Sequence, residues 1–191
     1  MNRLTFTLKP IGSQKGQALI ELTLLFPILV LLLYGTIEVA NVISIYQTLA
    51  HTSREGANLI SRGTNPDVAL DVIITAAAPT IQNTNSAQWK IIYSQITQKT
   101  TIPCPPPTPC TYEISSSSPS SQIERGALGQ SSQIGGPGDI VTIPGIQDVK
   151  AGQTFEAIEV YFDYGPNIMT FVGNNINNIF YDRTIFTRVS N

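Results

Sequence analysis

The chain of 191 residues is poor in the side chains on which most catalytic and metal sites depend. It has one histidine, His51, and two cysteines, Cys104 and Cys110, whose spacing is not that of a C-x-x-C ligand pair. It contains no G-x-S-x-G nucleophile motif, no cluster of metal-binding residues and no phosphate-binding loop. These absences argue against an exported enzyme, and we predict a protein that is not an enzyme and needs no cofactor or metal.

Charge is also scarce and unevenly placed. Charged residues make up only 13% of the chain, the net charge is −2, and lysine and arginine form no cluster that would favour a nucleic acid. Arg3, Lys9 and Lys15 are the only charges before Gly16. Because the positively charged flank of a membrane segment stays in the cytoplasm, we expect a cytoplasmic N-terminus and an exported C-terminal part.

One long apolar run follows these positive charges. The twenty residues from Ala18 to Ile37 are nearly all apolar, and Glu21 is their one charge. Twenty helical residues span about 30 Å, the thickness of the hydrocarbon core, so residues 17–38 are predicted to cross a membrane once. A secretory signal peptide has a shorter apolar region and a small-x-small cleavage site, so an uncleaved signal anchor is the better alternative for this run. A glutamate within a bilayer costs a few kcal/mol, so Glu21 needs a function or a partner.

The residues around this glutamate carry a family resemblance. Gly16-Gln17-Ala18-Leu19-Ile20-Glu21, followed by an apolar stretch, resembles a type IV prepilin processing site. Together with the internal Phe26-Pro27 and the later Ser53-Arg54-Glu55-Gly56-Ala57, it is similar to the TadE-like pseudopilins of the tight-adherence pilus system.

This resemblance implies a leader over residues 1–16 that a prepilin peptidase removes between Gly16 and Gln17. It further implies that Glu21 pairs with the new N-terminal amine of a neighbouring pilin or pseudopilin subunit. A major pilin would be little more than the helix, so the large head favours a minor pilin-like subunit in an inner membrane or an extracellular pilus. The alternative is a signal-anchored, adhesin-like binding module that never enters a pilus.

The helix is expected to continue beyond the membrane as residues 39–63. An apolar stripe with three-and-four spacing predicts that this part packs against the head, and Gly63 with Pro66 gives a stop signal. Pro27 should kink or loosen the membrane half. The stripe comprises Val39, Val42, Ile43, Tyr46, Leu49, Ala50, Ser53, Ala57 and Ile60.

Residues 64–191 are predicted to form an exported α+β head of pilin-like architecture. Asn65-Pro66-Asp67 should begin a second helix that continues over Val68–Ala78 and ends at Pro79. The segment 104–138, rich in Pro, Ser and Gly, is interpreted as a mobile loop (103–138 with its flanking proline). Alternation of side chains predicts a small, mostly antiparallel sheet with strands over Trp89–Ile96, Phe155–Tyr164, Ile179–Val189 and, at an edge, Ile140–Ile143.

The sequence also allows predictions for two further groups of side chains. Cys104 and Cys110 should form a disulfide in an exported domain, as a local staple of a proline-stiffened loop, although two free thiols remain an alternative. We expect the acidic residues Asp148, Glu156, Glu159 and Asp163 on a solvated face of the sheet and not as an acid–base pair.

Overall fold

The computed structural model describes residues 14–81, 86–98, 111–141, 153–165 and 179–188. They belong to two compact units, one ending at Asn41 and one beginning at Val42. The elements are a long N-terminal helix, a shorter helix and a six-stranded, antiparallel open sheet, so the predicted α+β class is confirmed.

The first helix, α1, runs over Gln14–Ser61 and contains Pro27 without interruption. Its end has a local cause: Gly63 has a φ of +94°, which only glycine adopts readily. This turn lets the amide of Gly63 donate to the Ile60 carbonyl at 2.9 Å and the amide of Thr64 to the Leu59 carbonyl at 3.2 Å. The carbonyls of Leu59 and Ile60 in the last turn of the helix are thereby satisfied, in agreement with the predicted stop signal.

The second helix, α2, spans Pro66–Ile81. The side-chain oxygen of Asn65 accepts from the amide of Asp67 at 2.9 Å, which caps the first turn. The prediction that Pro79 ends this helix is wrong, because α2 continues through it to Ile81. Pro79 lies in the last turn of α2, where its missing N–H costs a single helical hydrogen bond.

The sheet has the strand order β4-β2-β1-β5-β6, and β3 pairs with β1 beside β2. The central strands β1 and β5 pair over nine residues, from Trp89 opposite Phe162 to Thr97 opposite Thr154. All described pairs of strands are antiparallel. The strands are β1 (Trp89–Gln98), β2 (Tyr112–Ile114), β3 (Gln122–Gly126), β4 (Ile140–Val141), β5 (Thr154–Asp163) and β6 (Ile179–Thr187).

Strands β2 and β3 lie where the sequence analysis expected a loop. They are joined by a short 3-10 turn, Pro119–Ser121, which Ser118 caps by accepting from the amide of Ser120. The buried hydroxyl of Ser121 donates to the carbonyls of Ser115 and Ser118. Serines and proline therefore build a tight, ordered connection, and strands of three and five residues are too short to reveal a period in such a composition.

Helices cover one face of the sheet. Within the unit that begins at Val42, the buried residues of α1 and α2 pack on side chains of β1 and β5. Leu49, Ala57 and Ile60 of the expected stripe are buried against the sheet, whereas Val39, Ile43 and Tyr46 are each about half exposed. The buried contact residues of the helices are Leu49, Ala57, Ile60, Ala69, Leu70, Ile73 and Ala77.

The segment that follows β3 covers the opposite face. Leu128 packs with Ile92 and Tyr161, and Ile134 packs with Ile96 and Phe155. Both faces of β5 are therefore covered, and its residues from Phe155 to Phe162 are all buried. This arrangement decides the environment of the two glutamates in β5.

Candidate functional site

The residues predicted for processing and assembly lie in the first two turns of α1. Gly16 is exposed, and a Cβ placed on it would meet no atom within 4 Å. Packing within the described chain thus gives no reason for a glycine at this position. One residue further, the side-chain amide of Gln17 donates to Oε1 of Glu21 at 3.3 Å. The four-residue spacing places these two side chains on one face of the helix.

The helix around Glu21 is apolar and unburied. Its most apolar stretch has a mean hydropathy of 2.3, and none of that stretch is buried within the protein. Among the described residues, α1 is the one helix long and apolar enough to cross a membrane. Thr23 and Thr36 hydroxyls donate to backbone carbonyls of the preceding turn, so their polar groups are satisfied within the helix. These properties suit α1 to membrane anchoring.

The motif Ser53-Arg54-Glu55-Gly56-Ala57 contains both buried residues that pack against the domain and residues exposed to solvent. Ser53 is fully buried, donates to Oδ2 of Asp182 and lies 2.9 Å from the hydroxyl of Thr184, both on β6. A Cβ on Gly56 would lie 2.6 Å from Cδ1 of Ile158 and 2.7 Å from Cδ1 of Ile73. Gly56 and the buried Ala57 therefore set the close approach of α1 to the sheet and to α2, whereas Arg54 and Glu55 stay exposed.

Glu159 is a buried carboxylate that sequence reasoning placed wrongly on a solvated face. It is 0% exposed and accepts hydrogen bonds from Ser132 Oγ, the Gln133 amide at 3.0 Å, Tyr161 Oη at 3.0 Å and Tyr181 Oη at 2.9 Å. Burial first, and then the nearby Glu159 charge, raises the pKa of both tyrosines above the ordinary range. The carboxylate fixes the segment after β3 onto the sheet.

Glu156 is also buried, at 0% exposure, so its prediction as a solvated residue is likewise wrong. Its Oε2 accepts from Tyr93 Oη at 2.6 Å, and its Oε1 lies 3.5 Å from Nη1 of Arg188. Burial raises the pKa of this carboxyl, and the hydrogen bond from Tyr93 and the charge of Arg188 offset that rise only in part. Burial and the same hydrogen bond raise the pKa of Tyr93.

The two buried glutamates do not form an acid–base pair. Glu156 and Glu159 are three positions apart on one strand, so they point to opposite faces of the sheet. The signal that could have revealed their burial is the density of aromatic and aliphatic neighbours throughout β5, which is typical of a strand covered on both sides. Their contacts are those of structural groups.

The remaining predicted residues give no further site. Cys104, Cys110 and Asp148 lie outside the described residues. Asp163 caps the end of β5, where its Oδ1 accepts from the amide of Gly165 at 2.9 Å. Within the described part of the chain, no group of three or more His, Cys, Asp or Glu side chains is arranged to hold a metal ion.

Fold and helix together define a protein with one apolar N-terminal helix suited to membrane anchoring and an α+β domain. Residues 16–58 match the family model described as TadE-like protein. The resemblance drawn from the residues is thus confirmed, and the N-terminal segment of this chain is TadE-like. The matched segment contains Gly16, Glu21 and the Ser53–Ala57 motif, and it implies a pilin-like protein associated with tight-adherence pili. No curated protein and no solved structure gives a significant match to the chain.

Proposed function

We propose that this protein is a minor pilin-like subunit that takes part in assembling a tight-adherence pilus or a related secretion apparatus. The observation that carries the proposal is the TadE-like match over residues 16–58, which begins at the glycine of the processing motif and includes an unburied apolar helix. The proposed role is structural. The buried acidic groups of the domain hold hydrogen bonds within the fold, and the motif residues belong to the N-terminal helix.

The proposed processing site is the bond between Gly16 and Gln17. A peptidase must bind an extended backbone in a narrow site, and glycine offers no side chain to obstruct it. Since no contact within the described chain requires glycine there, recognition by a peptidase supplies the reason that packing does not. Cleavage removes the three positive charges before Gly16 and leaves a new amine at Gln17.

Glu21 is the proposed assembly charge. In an apolar bundle of helices, a carboxylate and an amine attract strongly, and either one left unpaired is costly. A neighbouring subunit at the correct stagger satisfies both groups, whereas a wrong stagger leaves both unpaired. The pair therefore sets the register between subunits. In this arrangement each helix crosses the inner membrane once, with its N-terminus on the cytoplasmic side and the domain exported.

The test is incorporation of a Glu21→Ala variant into pili. We expect the variant to insert into the membrane at the wild-type level but to be missing from sheared pili and from complexes with other pilus subunits. Glu38→Ala is the matched control, because Glu38 is the other carboxylate in the part of α1 that belongs to the first compact unit. Equal incorporation of Glu21→Ala and the control would overturn the pairing mechanism.

A further inference from the structure

The residue that the proposed cleavage would place at the N-terminus is a glutamine, and its side chain contacts a carboxylate. A glutamine with a free α-amine can displace its own side-chain amide and close a five-membered ring. We propose that Gln17 of the cleaved, unassembled subunit forms this pyroglutamyl ring and that Glu21 relays the proton. The inference rests on the proposed cleavage before Gln17.

The reaction needs no further reactant. The α-amine nitrogen of Gln17 attacks Cδ of its own side chain, so that a new carbon–nitrogen bond forms and the bond between Cδ and Nε2 breaks. The proton released by the attacking amine ends on the departing nitrogen, which leaves as ammonia. The product is a neutral lactam, lighter than the free N-terminus by one ammonia.

Glu21 is placed to assist this step. Its Oε1 lies 3.3 Å from Nε2, the atom that must leave. A carboxylate in hydrogen-bond contact with a leaving group can accept the proton of the attacking amine and return it to the departing nitrogen. The four-residue spacing on one helix brings the two exposed side chains into contact within a single subunit.

Ring closure and subunit pairing exclude each other. An amine that is protonated and held by a neighbour's Glu21 has no lone pair with which to attack Cδ, so assembly protects it. A subunit that stays unassembled loses the positive charge on which pairing depends. The lactam therefore marks subunits that have missed assembly.

The experiment uses the full chain in cells that contain the prepilin peptidase but no other pilus subunit. After a pulse of synthesis, membranes are dissolved in denaturant, free amines are dimethylated at once, and the N-terminal peptide is analysed by mass spectrometry. We expect a peptide that begins at Gln17, carries no N-terminal label and is lighter by one ammonia, in a fraction that grows during the chase.

A cleaved peptide whose amine is labelled or methylated throughout the chase would overturn the inference while leaving the proposed cleavage intact. A peptide that still contains residues 1–16 would instead overturn the proposed cleavage, and with it this inference. The two failures are therefore distinguishable in one spectrum.

Two variants test the chemistry within the cleaved fraction. Gln17→Asn keeps a side-chain amide, but its ring would have four members, so the amine should stay labelled. Glu21→Gln keeps a polar side chain but lacks the basic carboxylate, and we expect lactam to form several-fold more slowly. An unchanged rate in Glu21→Gln would refute the role of Glu21, and a Gln17→Asn peptide that both lacks the amine label and is lighter by one ammonia would refute ring closure as the origin of the product.

Discussion

Replacing Glu159 with alanine tests whether the buried carboxylate holds the segment after β3 to the sheet. The substitution removes the acceptor of the Ser132 and Tyr181 hydroxyls, whereas Tyr161 Oη can still donate to the Ser131 carbonyl at 3.2 Å. A buried donor without an acceptor costs about 1–3 kcal/mol. Two such donors lose their acceptor, but Ser132 and Tyr181 are only half-buried. We therefore expect the free energy of unfolding to fall by an amount at the lower end of the range for two donors, about 2–3 kcal/mol.

The assay is urea unfolding of the detergent-solubilised full chain, followed by fluorescence. Trp89 is the one tryptophan of the sequence and lies at the start of β1, so its emission reports on the sheet. With a slope of about 1–3 kcal/mol per molar urea, a loss of about 2–3 kcal/mol should lower the midpoint by about 0.7–3 M. Glu55→Ala is the control, because Glu55 is an exposed glutamate, and surface substitutions change stability by about 0.5 kcal/mol or less. A Glu159→Ala midpoint equal to that of the control would refute the reasoning.

Three further outcomes are expected. Burial raises the pKa of Glu156, so its contribution to stability is fully present below the unfolded value near 4.5 and is lost as the pH rises through the raised folded pKa. Acidification from about pH 7 to about pH 5 should therefore raise the free energy of unfolding more in wild type than in Glu156→Gln; equal pH dependence in urea titrations would contradict this. Ser53→Ala removes a buried hydroxyl and leaves Asp182 with one donor fewer, which should cost about 1–3 kcal/mol in the same assay, and a loss within error would be inconsistent with it. Gly16→Leu should accumulate as full-length precursor on immunoblots, while normal maturation would remove the processing proposal.

The helices were largely predictable because their signals are local. An apolar run, a glycine stop and an Asn-Pro-Asp start depend on neighbouring residues, and α1 and α2 begin and end close to those positions. The long strands β1, β5 and β6 were predictable for the same reason, since each has enough residues to show β-branched and aromatic enrichment.

The contacts of the domain were not predictable because they depend on distant residues. Nothing in the alternation of β5 says that the segment containing Leu128 and Ile134 covers the second face, and this cover is what buries Glu159. Similarly, Ser53 belongs to the predicted stripe, but its hydrogen-bond partner Asp182 lies 129 positions further along the chain, so this contact could not be read from local sequence. The processing and assembly residues are predicted from a local sequence motif, and the roles given to them here are proposals.

The most direct test of the central claim is the N-terminal peptide of the membrane-extracted protein, compared between cells with and without the prepilin peptidase. We expect the chain to begin at Gln17 only when the peptidase is present. A chain that retains residues 1–16 in both strains would contradict the account and leave a signal-anchored protein whose function lies in its exported domain.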